Sequence, residues 1–168
     1  KIIYTALGVG RDLHSCLEKN GNITEMDWWE TQEVTKDVVL TATPARHFSG
    51  RGLKRGGSLW VSFVLEIAGY KFFIGGDSGY DTHFKAIGDK YGPFDLVILE
   101  CGQYNDNWPF IHMKPEETVQ AAIDLKGKVL LPVHWAKFAL ANHPWNDSAK
   151  RVTASALQRG LPVTTPRI

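Results

Sequence analysis

Residues 58–67, SLWVSFVLEI, set Leu59, Val61, Phe63, Leu65 and Ile67 on one face of an extended chain and Trp60, Ser62, Val64 and Glu66 on the other. A period of two is served by a strand and not by a helix. The short AGY that follows turns the chain into KFFIGG, so an antiparallel hairpin is predicted whose second strand runs straight into Asp77.

Beyond the hairpin the pattern changes. Helical stretches DTHFKAIGDKYG, KPEETVQAAIDLKG and NDSAKRVTASALQRG alternate with strand-like FDLVILE and KVLLPVH. The middle helix carries its own punctuation: Pro115 in the first turn, Glu116 and Glu117 where the helix dipole favours negative charge, and Gly127 as the stop. Antiparallel strands followed by crossover units give an α/β (α+β) fold.

Upstream, IIYTALG reads as a short strand and RDLHSCLEKNG as a short amphipathic helix ended by glycine. No element is assigned to ITEMDWWE. Residues 38–52, VVLTATPARHFSGRG, pass from a β-branched run through Pro44 into a glycine- and arginine-bearing loop that holds His47. No repeat, low-complexity tract or linker divides the chain, so residues 1–168 are expected to form a single domain.

Composition narrows the partners. A formal net charge of +1 with no Lys/Arg run lacks the clustered positive charge that nucleic acids or anionic membrane surfaces require. No apolar run approaches the roughly 18 residues that cross a bilayer, and no signal segment is visible, so no transmembrane segment and a cytoplasmic location are expected. Cys16 and Cys101 cannot build a disulfide framework and read as two small buried thiols.

Three polar residues share one context, each just past an apolar strand: His47 after VVLTATPAR, Asp77 after KFFIGG and His134 after KVLLPV. In layered α/β folds such strand ends converge on one edge. Imidazole nitrogen and carboxylate oxygen both bind zinc at about 2.0–2.2 Å, and a carboxylate can bridge two ions. Gly75, Gly76 and Gly79 around Asp77 are expected to let the backbone turn sharply and leave room for ions and water. A hydrogen-bonded structural histidine and an Asx-type turn are the other readings of the same residues.

Taken in order, TPARHFSGRG, GGDSGY and LLPVHWAKFAL resemble the later metal-binding motifs of the metallo-β-lactamase-fold hydrolases. Within that superfamily YGPFDLVILECGQYNDNW, HMKPEE and HWAKFALANHPW resemble the branch containing N-acyl phosphatidylethanolamine phospholipase D and its bacterial relatives. The resemblance implies a four-layer αββα sandwich with a two-zinc site along one edge of the sheets. It further implies His47 on one zinc, Asp77 as the bridge and His134 on the other zinc, with a metal-bound hydroxide attacking phosphorus or carbonyl carbon. His112, in FIHMKPEE, resembles a histidine near the active-site mouth that contacts substrate or leaving group; a loop histidine capping the following helix is the plainer reading. Trp108, Phe110 and Trp135 are candidates for lining an apolar pocket, and Arg46, Arg51, Lys54 and Arg55 for meeting an anionic phosphate.

One motif is missing. The superfamily's first run, histidine, any residue, histidine, any residue, aspartate, histidine, is not matched by any of His14, His47, His83, His112, His134 and His143. The chain is therefore expected to be the C-terminal part of that sandwich, without its N-terminal half. Alone it is expected to hold zinc incompletely and to be inactive, while the full-length parent carries two ions and hydrolyses a small-molecule or phospholipid-like substrate as a phosphodiesterase. The uncovered face carrying Leu59, Val61 and Phe63 is expected to favour a homo-oligomer or the missing half. A metal-free binding or scaffold module, with the trio structural, is the contrasting reading.

Overall fold

The structure is a computed structural model that describes residues 2–16, 22–49, 56–137 and 140–165. Along these residues the order is β1 (Ile2–Ala6), α1 (Gly10–Cys16), β2 (Asn22–Met26), β3 (Thr31–Thr35), β4 (Val38–Pro44), β5 (Val61–Ile67), β6 (Tyr70–Ile74), α2 (His83–Tyr91), β7 (Leu96–Glu100), α3 (Pro115–Asp124), β8 (Leu130–Val133) and α4 (Asp147–Gln158). Strands β3 to β8 lie side by side in sequence order in one sheet, and β1 and β2 form a separate parallel pair.

The larger sheet is antiparallel from β3 to β6 and parallel from β6 to β8. The switch follows from the connections. Ile67 pairs with Tyr70, so Ala68 and Gly69 are the whole hairpin loop, and both take the positive φ that a tight primed turn demands, 50° and 83°. Helices α2 and α3 then return the chain to the start of the next strand, which makes β7 and β8 parallel to β6. Strands β4, β6, β7 and β8 consequently run the same way, and their C-terminal ends share one edge.

Thr41, Val64, Phe73, Val97 and Leu130 form one paired row across five strands, and every member is buried. Onto this row α2 packs Phe84 and Ile87, α3 packs Val119 and Ala122 with Leu125 just past its end, and α4 packs Val152 and Ala156. The Phe73 ring meets Phe84 edge-on at 6.3 Å and Phe94 at 5.7 Å. Each of the larger apolar side chains here, Val, Leu, Ile or Phe, contributes about 1.5–3 kcal/mol, and this helix-covered face is the main core.

The alternation in β5 gives an unexpected result. Its more apolar face, Val61, Phe63 and Leu65, is only half-buried, whereas the face with Ser62 and Val64 is fully buried beneath the helices. The cost of burying Ser62 is offset because its hydroxyl donates to the Pro44 carbonyl at 2.9 Å and lies 2.8 Å from the Thr43 hydroxyl.

The stretch ITEMDWWE, unassigned from sequence, contributes most of β2 and leads into β3. In β2, Glu25 accepts the Gly8 and Gly10 N–H groups at 2.9 and 2.6 Å, placing a carboxylate at the start of α1. This small unit is tied to the larger sheet by Leu59 N–H to the Leu7 carbonyl and by Trp28 Nε1–H to the Trp60 carbonyl. Strand β3, TQEVT, is an edge with one apolar residue, which hides it from pattern reading.

At the start of α2, His83 places Nε2 3.3 Å from the Ser78 hydroxyl, and burial drives its pKa from the ordinary 6.5 down to about 4, against the attraction of Asp81. The folded state binds this proton less readily than the unfolded chain. The fold therefore keeps the full contribution above about 6.5 and loses stability as pH falls toward 4. The expected loss over that window is on the order of 2 kcal/mol. Urea unfolding at the two ends of the window should show it, and His83→Gln should flatten the pH dependence.

Candidate metal centre

The four strand ends on the shared edge carry the chemistry: His47 three residues past β4, Asp77 three past β6, Glu100 closing β7, and His134 directly after β8. The glycines around Asp77 serve two different ends. A Cβ on Gly75 would sit 2.8 Å from Leu99 Cδ2, and one on Gly79 would sit 2.3 Å from the Phe110 backbone. Only Gly76, with φ of 63°, is needed for its backbone conformation. The space saved at Gly75 and Gly79 is thus filled by protein, which differs from the sequence-based expectation of room for ions and water.

The structure brings His47, Asp77 and His134 together and adds His112. One donor atom each from His47, Asp77 and His112 lies within 4.8 Å of the others, and His134 Nε2 is 3.8 Å from Asp77 Oδ2. The His112 ring meets His47 edge-on at 5.2 Å and stacks on His134 at 5.3 Å. His134 itself has a φ of 62°, a conformation rare for a side chain larger than glycine.

His47 Nδ1 lies 3.0 Å from the Phe48 carbonyl, which can only accept, so the ring proton belongs on Nδ1. That leaves Nε2 unprotonated, buried and without a hydrogen-bond partner. Burial lowers the His47 pKa, with the Phe48 carbonyl opposing, and burial likewise lowers that of His112 against the pull of Asp77. Neutral imidazoles facing a carboxylate form a nitrogen and oxygen donor set of the kind that suits zinc and similar divalent ions, and a bare Nε2 is what such an ion would use. The residues fit a metal ion.

Glu100 escapes sequence reading although it stands in the same context, the last residue of the apolar FDLVILE. It is fully buried, its Oε1 accepts the Met113 N–H at 2.7 Å and its Oε2 the Gly102 N–H at 3.2 Å. His112 Nδ1 approaches Oε1 at 3.5 Å. Burial raises the Glu100 pKa well above the usual carboxylate range, and the two backbone N–H groups oppose that rise. Its neighbour Cys101 is buried and its thiol is pushed up to about 12, so no thiolate is available there. The Cys16 side chain lies outside what the structure describes.

Of the three aromatic candidates, Trp135 packs on the core and lines a cavity of about 330 Å³ with Gln103, His134, Lys137 and Leu140. Trp108 is half-buried and donates Nε1–H to the Gln103 carbonyl. Phe110 is exposed beneath the Arg46 guanidinium, 4.0 Å from the ring centre. Arg46 also pairs with Asp81 at 2.5 Å, so its charge is already engaged. Arg51, Lys54 and Arg55 lie outside the described residues. Among the described residues no helix is long and apolar enough to cross a membrane.

The profile of the family described as Beta-lactamase superfamily domain matches residues 1–135. An uncharacterised protein of Mycobacterium tuberculosis is 42% identical over 163 residues, 95% of this chain and 44% of that protein. The mitochondrial N-acyl-phosphatidylethanolamine-hydrolyzing phospholipase D of Saccharomyces cerevisiae is 38% identical over 144 residues, 79% of this chain and 31% of that protein. The chain thus spans less than half the length of these relatives. In shape it is similar to a metallo hydrolase of the archaeon Ignicoccus hospitalis, with a TM-score of 0.73 at 18% identity over 98% of this chain and 64% of that one. The sheet with its helical layer and the match over residues 1–135 agree: the chain belongs to the β-lactamase superfamily, with the fold of its metallo-hydrolases.

Proposed function

We propose that the protein carrying this chain is a divalent-metal-dependent phosphodiesterase acting on a phospholipid-like or other phosphate-bearing small molecule. The observation that carries the reading is the bare, buried Nε2 of His47 in a cluster with Asp77 and His112, with His134 alongside. The yeast relative, whose name states hydrolysis of N-acyl-phosphatidylethanolamine, supports the substrate class.

In this reading His47, Asp77 and His134 are metal ligands, with zinc the expected ion and two ions the expected load of the full-length protein. A bound ion of this type supplies Lewis acidity and a water acidic enough to attack near neutral pH. The chain's own residues do the rest. His47 is kept neutral by burial, so its Nε2 offers a lone pair instead of a repelling charge. Asp77, with its side chain 43% exposed, presents its carboxylate between His47 and His134 and is open to solvent and substrate. His112, with its side chain only 12% exposed, is placed to accept a hydrogen bond at Nε2 from a water or from a substrate O–H or N–H while Nδ1 faces Glu100.

Elemental analysis of the purified full-length protein, paired with hydrolysis of N-acyl-phosphatidylethanolamine vesicles and of bis(p-nitrophenyl) phosphate before and after chelation, tests the reading. Stoichiometric divalent metal and chelator-sensitive hydrolysis are expected. Protein without stoichiometric metal and without hydrolysis would instead favour a metal-free binding module.

A further inference from the structure

We propose that Glu100 is a positioning residue for His112: it holds the imidazole in its Nδ1–H form, so that a bare Nε2 is directed to the cluster formed with His47 and Asp77. The use made of that Nε2 rests on the functional reading above; the choice of tautomer does not.

Three observations carry it. Glu100 is the only carboxylate among the described residues that is fully buried, and both its oxygens are already acceptors, Oε1 for the Met113 N–H and Oε2 for the Gly102 N–H. The Met113 bond, at 2.7 Å, fastens the backbone immediately after His112 to the end of β7, so ring and carboxylate cannot drift apart. His112 Nδ1 is buried with no hydrogen-bond partner, and Glu100 Oε1 stands 3.5 Å away.

An N–H at Nδ1 reaches that oxygen by a small turn of the ring. Against Glu100 in its carboxylate form, with both oxygens already accepting backbone N–H groups, a bare Nδ1 would leave lone pair facing lone pair in a dry site, a costly arrangement. A Glu100 O–H donating to Nδ1 is the opposite case, and it would give the Nε2–H form that the experiment below distinguishes. The other groups facing the ring are His47 at 5.2 Å, His134 at 5.3 Å and the Asp77 carboxylate within the donor cluster. The two rings limit tilting of the imidazole, and none of these groups hydrogen-bonds Nδ1. A carboxylate behind a histidine of this kind fixes both the ring's proton and its direction.

Long-range proton–nitrogen NMR of histidine-labelled, metal-free protein at neutral pH reads the tautomer directly, with His112→Gln assigning the signal. The Nδ1–H form is expected in the unmodified protein, shifting toward the Nε2–H form in Glu100→Gln. An Nε2–H form in the unmodified protein, or a pattern that Glu100→Gln leaves unchanged, overturns the proposal. In the metal-loaded full-length protein Glu100→Gln should lower kcat by about 10–100-fold with KM and metal content nearly unchanged, and Glu100→Asp should restore part of the loss. Thr118→Val is the structural control, because it removes only the hydroxyl bonded at 2.9 Å to the Glu100 backbone carbonyl. An equal kcat loss in that control would mean that loosening the end of β7 suffices, and would overturn the proposal. If the tautomer responds as expected while the full-length protein hydrolyses no phosphodiester, the functional reading fails and the positioning role stands.

Discussion

Gly102→Ala should be among the most damaging single changes in this chain, costing about 3 kcal/mol or more of stability. A Cβ at that position would lie 1.9 Å from the His134 carbonyl oxygen and 2.9 Å from its carbon. Both are backbone atoms, so no side chain can swing aside. His134 already occupies the left-handed region at a φ of 62°, and Ala136 does so at 71°, which leaves the segment little freedom to retreat. Separating it from residue 102 also pulls at the Gly102 N–H bond to Glu100 and moves His134 from Asp77. Urea unfolding should show a sharply lowered midpoint. Gly57→Ala, where the added Cβ would meet nothing nearer than 3.6 Å, is the matched control. Equal effects of the two substitutions would refute the close crossing of the β7 and β8 ends.

Asp77→Ala should do the opposite: leave the fold standing and remove the function. The Asp77 side chain is 43% exposed and its carboxylate faces His134 Nε2 at 3.8 Å, so its removal opens no cavity in the core. It also stands near enough to Glu100 to raise that group's pKa by repulsion, so the metal-free variant should be as stable as the unmodified protein or slightly more so. In the full-length protein, metal affinity should fall by more than about 100-fold. The loss of several kcal/mol of metal-supplied charge stabilisation should reduce kcat/KM by about 10³-fold or more. Titration calorimetry with zinc and chelator-controlled kinetics measure the two losses. Hydrolysis that persists undiminished in metal-free Asp77→Ala protein would end the functional reading.

The sequence made the strand ends legible because each of His47, Asp77 and His134 follows an apolar run that reads as a strand. The same alternation that located β5 did not say which of its faces was core. Val61, Phe63 and Leu65 look like the inner face, yet the helices cover Ser62 and Val64, because hydroxyl pairing with Thr43 and Pro44 makes that face buriable. Such pairing depends on register across strands 18 or 19 residues apart and leaves no local trace. Strands β2 and β3 were hidden by polar residues on a small outlying pair and an edge. The link between Glu100 and His112 was invisible for a similar reason: an acidic residue ending an apolar run looks like the start of a solvated loop, and only the folding back of Met113 shows that it is dry.

The opposite margin of the large sheet has its own significance. The tight turn at Ala68 and Gly69 lies there, at the far end of the five residues of β6 from Asp77. At about 3.3 Å per residue that is a separation of about 17 Å. Because β4, β6, β7 and β8 all begin on that side, the chain can lengthen at this turn without moving any of the four strand-end residues. It is the natural point for splicing in a fluorophore-bearing peptide or a surface tether, and the side on which descendants of this fold can diverge in length while keeping the same chemistry.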